Sequence, residues 1–308
     1  MRDANVFSFK RALPRMSWSP QNLYNLWART AGPKAQDIEF KQTNKTLFQQ
    51  RWRSKAVVRA YHGDYINEKI FKRWYLPETL PDVRPRKQFG KGTGDLASLE
   101  EFAKRKQKQK DYEQEEEVRG SAPVGSLMFS EIERRIDVFI FRCCFVHSVY
   151  EARRLVIHGD VMLNGKKHQN ANTRLAPGDM VSVNPDSIRF FKPRQPSHDD
   201  VNGYEEKKKL AEKAGEEAGE EFNLTPFYLP PFASPWLFIP SYIEASFKTC
   251  SAIYVRHPTA RPGYSEIPTP YDADGEVVRF AWEWYTERRP RLRSPSQLSR
   301  MPEDRVLV

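Results

Sequence analysis

Two adjoining stretches decide the fold: R-I-D-V-F-I-F-R-C-C-F, residues 135–145, and E-A-R-R-L-V-I-H-G-D-V-M-L-N-G, residues 151–165. They read as two short basic helices followed by a tight hairpin. In the first helix Ile132, Ile136, Phe139, Ile140 and Cys143 approach the i, i+4, i+7 spacing of one buried face. Ser130 and Glu133 have the spacing of a capping box at its start. Ser148 and Glu151 repeat that spacing at the second helix, and Gly159 falls where a left-handed cap would end it. Val149, Ala152 and Val156 share a face of that helix, with Arg154 nearly opposite. Residues 161–163 run into Asn164-Gly165, the strongest short hairpin signal, because both residues tolerate φ > 0. Lys166, Lys167 and His168 follow at the tip. Pro177-Gly178-Asp179 turns the chain again before the apolar residues 180–183. The expectation is two helices stacked on a small sheet, with cationic side chains outside.

The set Arg135-Ile136-Asp137, Arg142, Phe145, Glu151-Ala152-Arg153, Leu155, His158, Val161, Asn164-Gly165 and Gly178-Asp179 resembles the S-four RNA-binding domain. The match spans about fifty residues in order, and its specificity lies in the set rather than in any one element. Cys144 departs from it, standing where the family has Gly after the first helix. Val146-His147 also differ from the small residues usual there.

Composition points the same way. The 308 residues carry a formal net charge of +10. The isoelectric point is about 9.4. Residues 1–60 hold 12 Lys and Arg against Asp3, Asp37 and Glu39. Aromatics alternate with those cations: Trp18, Tyr24, Trp27, Phe40, Phe48, Trp52 and Tyr61. Such a surface suits phosphate neutralisation combined with base stacking. No apolar run approaches the roughly 18 residues of a bilayer span, so no membrane span is expected. The three cysteines form neither a disulfide framework nor a CxxC metal pair, and Cys143 reads as a small buried hydrophobe.

A mean hydropathy of −0.73 and 23 prolines suggest one compact motif plus segments that gain order from partners. Five segments are expected. Residues 1–102 form a basic, mostly helical part, with helical patterns at 20–29 and 45–61. Residues 103–122 are a charged linker, 123–185 the S-four-type domain, and 186–225 a linker or insertion. Residues 226–308, which include T-P-F-Y-L-P-P-F-A-S-P-W-L-F-I-P, are expected to lie extended over the N-terminal part, RNA or a neighbour, because Pro removes donors and fixes φ. The fold class is α+β: an S-four-type helix-helix-small-sheet domain inserted in a mostly helical basic domain, with long extended segments.

The flanks strengthen the resemblance. Arg15-Met16-Ser17-Trp18 with Asn22-Leu23-Tyr24-Asn25-Leu26 looks like the entry segment of the small-subunit ribosomal protein family that carries this domain. Pro235-Trp236-Leu237, Glu244, Phe247-Lys248, Arg261-Pro262, Glu266-Ile267 and Val277-Val278 look like its returning C-terminal segment. The aromatic additions resemble a fungal mitochondrial version, and Arg2, Lys10, Arg11 and Arg15 with Phe7 and Phe9 are consistent with import. This resemblance implies a ribosomal protein in the mitochondrial matrix that binds small-subunit rRNA early in assembly. It implies neighbouring small-subunit proteins as partners and places the chain near the mRNA entry side. The cysteine cluster of some bacterial relatives has no counterpart before Cys143, so no metal site is carried over, and no cofactor is implied.

The residues expected at RNA are Arg134, Arg135, Arg142, Arg153, Arg154, Asn164, Lys166, Lys167 and His168, with Arg11 and Arg15 from the N-terminal segment. His158 reads instead as a helix C-terminal residue that favours the dipole. Two alternatives carry the same domain: a pseudouridine-synthase-like RNA-modifying enzyme, which would use Asp137, and a stand-alone ribosome-associated factor. Against the enzyme, Arg135-Ile136-Asp137 begins a helix of the RNA-binding motif itself. There is also no GxxxxGK[ST] loop and no HExxH pair, and the six histidines are scattered. The chain is therefore expected to be no enzyme.

Overall fold

Ser19 starts the first helix. Its Oγ accepts from the Asn22 N–H at 3.3 Å, and Pro20 follows at the position that needs no donor. This helix, α1 (Pro20–Thr30), leads to α2 (Leu47–Gly63), which opens with a complete capping box between Thr46 and Gln49. A short helical turn, Glu68–Ile70, continues into a π-helical turn, Phe71–Tyr75. The computed structural model describes residues 12–35, 38–40, 44–81, 83, 107, 125–189, 236–261, 264–271, 275–292 and 294–305. Most of the charged run at 103–122 and nearly all of the insertion at 186–225 lie outside these residues.

The first helix of the central motif is broken in two. One turn, α3 (Ser130–Glu133), is followed by α4 (Ile136–Arg142). Ser130 and Glu133 do not form the expected capping box, because Phe129 precedes the turn and no side chain caps it. Arg134, Arg135 and Ile136 pair their backbone with residues 173–175 instead. Ile136 N donates to Thr173 O at 3.0 Å, and Leu175 N to Arg134 O at 2.7 Å. The extended Arg135 that this pairing requires ends the turn. Freed from capping, the Glu133 side chain enters the core.

The second helix, α5 (Val149–His158), starts at Ser148, whose Oγ accepts from Glu151 N at 3.3 Å. The return bond of the box shifts by one residue: Glu151 Oε2 accepts from His147 N. Gly159, at φ 83, ends the helix in the left-handed conformation. Cys144, in the loop between the helices, has φ 63. The resemblance places a Gly here, and this left-handed backbone is one that Gly adopts without strain.

The chain then forms β1 (Val161–Leu163), β2 (Lys166–Lys167) and β3 (Met180–Val183). Leu163 faces Lys166 across the Asn164-Gly165 turn, where φ is 50 and 77. Two further strands come from the C-terminal third: β4 (Ile243–Ser246) and β5 (Ser251–Tyr254). The sheet order is β2-β1-β3-β5-β4, antiparallel throughout. Val161, Leu163, Val181, Val183, Ala252 and Tyr254 point inward, whereas Met162, Met180 and Ile253 lie on the open face.

Residues 226–235 lie outside the described residues, and from 236 on the structure corrects the expectation of an extended C-terminal segment. Beyond the prolines, residues 243–246 and 251–254 alternate in burial and complete the sheet. A two-stranded ribbon follows, β6 (Ala260–Arg261) with β7 (Tyr264–Ser265), and then α6 (Glu276–Glu287), which packs along α2. The core is continuous. It runs from Met16 and Leu23 through Phe139 and Tyr254 to Tyr285. One compact motif with the remainder ordered only by partners is thus not what the described residues form. The apolar faces of α2, α6 and the sheet cover one another.

The hairpin gives a direct check. A Cβ at Gly165 would meet nothing within 4 Å, so the only penalty for a side chain there is its φ of 77. Gly165→Val should destabilise the chain by about 1–2 kcal/mol, and Gly165→Asn by much less, because Asn tolerates this backbone. Urea unfolding of the three full-length proteins measures both, and equal stability of Gly165→Val and the parent would contradict the turn.

Candidate RNA interface

The cations of the central domain fall into two groups according to what they already hold. Arg135 is fully buried. Its guanidinium donates to Asp137 at 3.0 and 2.6 Å, to Asn172 Oδ1 at 2.9 Å, to the Ala171 carbonyl and to the Tyr75 hydroxyl. Burial works against its charge, but the Asp137 carboxylate outweighs that, and its pKa is raised. Arg142 is 5 % exposed and grips Glu133 with two bonds of 2.9 Å. It also donates to the Pro268 carbonyl and the Tyr61 hydroxyl. Neither guanidinium presents a free edge to RNA, so both leave the expected site.

Two more of the expected arginines are engaged in the same way. Arg153 donates to Asp137 at 2.7 Å. Arg134 pairs with Glu131 at 3.0 Å and with Asp304 at 2.7 Å, and donates to the Leu175 carbonyl. Asp304 belongs to a C-terminal stretch that lies against the domain, where Arg305 pairs with Asp179 at 2.9 Å. From the N-terminal part, Arg15 lies 3.3 Å from Asp64, and Arg11 lies outside the described residues. Asn164 pins the turn rather than reaching outward. Its Nδ2 donates to Asp179 at 2.8 Å and its Oδ1 accepts from Met180 N. His168 is turned inward to Thr173 Oγ1 at 2.7 Å and to the Asn170 carbonyl.

The second group remains open. The Arg154 side chain is 59 % exposed and only 3.5 Å from Glu151. Lys166 and Lys167 are exposed and pair with no carboxylate among the described residues. His158 follows Arg154 by four residues and is exposed beside it. Lys167 sits at the far end of α5, because a Cβ on Gly159 would come within 2.0 Å of its Cε. Arg189, not singled out in the sequence, is also 59 % exposed and lies 3.9 Å from Glu151. The signal for it was the basic run R-F-F-K-P-R after β3. Arg189, Arg154, His158 and Lys167 thus mark out about 12 Å of α5, with Lys166 at the hairpin, a length set by its rise per residue. Among the described residues no helix is long and apolar enough to cross a membrane.

Comparison with known proteins bears on this geometry. Residues 134–181 match the model of the S4 domain. The chain is 31 % identical over 296 residues to the small ribosomal subunit protein uS4m of Schizosaccharomyces pombe, covering 90 % of this chain and 79 % of that protein. It is 26 % identical to uS4m of Reclinomonas americana, covering 84 % and 88 % of the two chains. It is 27 % identical to uS4 of the bacterium Hyphomonas neptunium, covering 83 % and 90 %.

The two groups should separate on mutation. Asp137→Ala strands buried Arg135 without its carboxylate and should cost about 3–5 kcal/mol of stability. Arg154→Ala should stay within about 0.5 kcal/mol of the parent, as exposed substitutions do. In rRNA binding, Arg154→Glu with Arg189→Glu should weaken affinity and lower the log–log salt slope by about 0.7–0.9 for each phosphate no longer neutralised. Filter binding across a salt series reads the slope, and an unchanged slope would remove this face from the interface.

Proposed function

The chain belongs to the uS4 family of small ribosomal subunit proteins, and on that premise we propose that α5 and the β1–β2 hairpin seat it on small-subunit rRNA. It is a structural constituent of the mitochondrial small ribosomal subunit, with rRNA and neighbouring ribosomal proteins as partners, and not an enzyme. Arg154, Arg189, Lys166 and Lys167 would neutralise phosphates where RNA helices meet, and the hairpin tip extends their reach. Binding there would organise the rRNA during assembly. Contact with mRNA near its entry side belongs to the same proposal and rests on the resemblance alone.

The observation that carries this reading is the division of the cations. The core arginines are consumed by Asp137 and Glu133, while in the row on α5 and the hairpin exposed Arg154 and Arg189 share Glu151, and Lys166 and Lys167 have no carboxylate partner among the described residues. A surface that holds a surplus of exposed positive charge along a helix is what counterion release rewards. A pseudouridine-synthase-like reading would need Asp137 as an accessible catalytic acid. That side chain is 0 % exposed and accepts from both Arg135 and Arg153, and nothing favours such an assignment.

Sedimentation of mitochondrial small subunits through a high-salt gradient tests the proposal. The parent chain should travel with the subunit. A chain carrying Arg154→Glu, Arg189→Glu, Lys166→Glu and Lys167→Glu should be depleted from that fraction while keeping the parent's unfolding midpoint. A folded quadruple variant that stays at full occupancy would show that this row does not seat the protein.

A further inference from the structure

The start of α2 bears an apolar surface that the fold leaves open. Leu47, Phe48 and Trp52 are each about half exposed, at 51 %, 57 % and 52 %. Phe48 and Trp52 are four residues apart and therefore share a helix face. Their rings stack at 6.4 Å and 20°. Both meet buried Trp284 of α6 edge-on, at 5.4 and 5.2 Å. The cluster is thus rooted in the core with its outer half in solvent. Three large side chains half exposed at one helix start leave on the order of 300 Å² of apolar surface, the size of the largest patch on a typical monomer, which is often functional.

The charges around the patch indicate what covers it. Arg51 pairs with Glu283 at 2.9 Å and Glu287 at 3.0 Å. Arg288 pairs with Glu287 at 3.1 Å, and its guanidinium lies 3.7 Å over the Trp284 ring. Lys55 pairs with Glu68 at 2.8 Å, and its ammonium lies 4.5 Å over Trp52. Each of these three cations is already spent on a carboxylate, a ring or both. Glu283 and Glu287 are in turn held by those cations, so the pairs offer a phosphate backbone no net attraction. Lys55 already lies over the Trp52 ring, so this face is taken by a cation rather than a base. The row on α5 has the opposite character, with cations in surplus and few apolar groups.

We infer that Leu47, Phe48 and Trp52 form a docking surface for an uncharged, apolar segment of a neighbouring small-subunit protein, and not for rRNA. The inference rests on the ribosomal reading above. A neutral rim around rigid aromatics is the composition of a protein–protein contact core, where aromatic anchors dominate and unpaired charge is scarce.

Photo-crosslinking in purified small subunits tests it. The full-length chain carries a benzophenone amino acid at position 48, and its sedimentation with the subunit checks the ribosomal reading separately. Irradiation should give an adduct on another small-subunit protein, at a stretch of apolar residues. The double variant Phe48→Ser, Trp52→Ser should lower the occupancy of that same neighbour roughly tenfold or more, the order expected on removing two buried aromatic anchors. Its rRNA affinity and salt slope should match the parent's, and its unfolding midpoint, lowered because both rings pack on Trp284, should still leave it folded under the assay conditions. An adduct on rRNA, an adduct on a second copy of this chain, or no adduct in subunits that contain the protein would overturn the inference and leave the ribosomal reading standing. Absence of the parent chain from the subunit would overturn both.

Discussion

The pair between Glu133 and Arg142 holds the three parts of this chain together. Both carboxylate oxygens take a guanidinium nitrogen at 2.9 Å in a site that water does not reach. Tyr242, just before β4, donates its hydroxyl to the same carboxylate at 2.9 Å. Arg142 reaches Tyr61 on α2 and the Pro268 carbonyl beyond β7. His62, stacked on Phe129 at 4.1 Å, lies 3.8 Å from Glu133. Burial, with the nearby Arg142 charge, pushes its pKa well below the ordinary value, so it stays neutral and leaves the carboxylate to arginine. A buried pair adds little net stability over apolar packing, yet losing one partner costs about 3–5 kcal/mol. Its role is to fix how the N-terminal helices, the central domain and the C-terminal strands meet.

Because that constraint uses up Arg142, and Asp137 likewise uses up Arg135 and Arg153, the charge available for RNA is moved outward and along α5. The +10 net charge says that phosphate is a natural partner but not which cations meet it. Geometry makes that choice. Cations next to a buried carboxylate hold the domain together, and on our proposal those on the outer side of α5 and at the hairpin, in excess over Glu151, are the ones that would release counterions. The same sorting distinguishes the α5 row from the aromatic surface at the start of α2, whose rim is internally balanced.

Local features were legible in the sequence. Asn164-Gly165, the Ser148 cap and the Gly159 stop each depend on residues within a few positions, and each is present. The apolar spacing on α4 and α5 was equally readable. Long-range features were not. The first helix breaks because residues 134–136 pair with 173–175, which no periodicity reveals. Arg135 and Arg142 looked like RNA contacts because a basic helix face gives no sign that Asp137 and Glu133 turn into the core to meet them, or that Asn172 and the Pro268 carbonyl close the two sites from afar. Strands β4 and β5 were hidden by the prolines before them, although residues 243–246 and 251–254 alternate once their partner β3 is known. Sequence composition finds charge, and only the packed fold shows which charges are already paired.

The central claim is that buried arginines organise the protein while exposed ones hold the RNA. A structure of the assembled mitochondrial small subunit tests it most directly, by the distances from each cation to the nearest rRNA phosphate. The account predicts Arg154, Arg189, Lys166 and Lys167 within direct contact, about 4 Å or less, of phosphate oxygens, the ordinary range of a charge-assisted bond or ion pair. Arg135 and Arg142 should keep Asp137 and Glu133. A structure in which Arg135 or Arg142 has left its carboxylate for a phosphate, with the α5 row facing solvent, would contradict it.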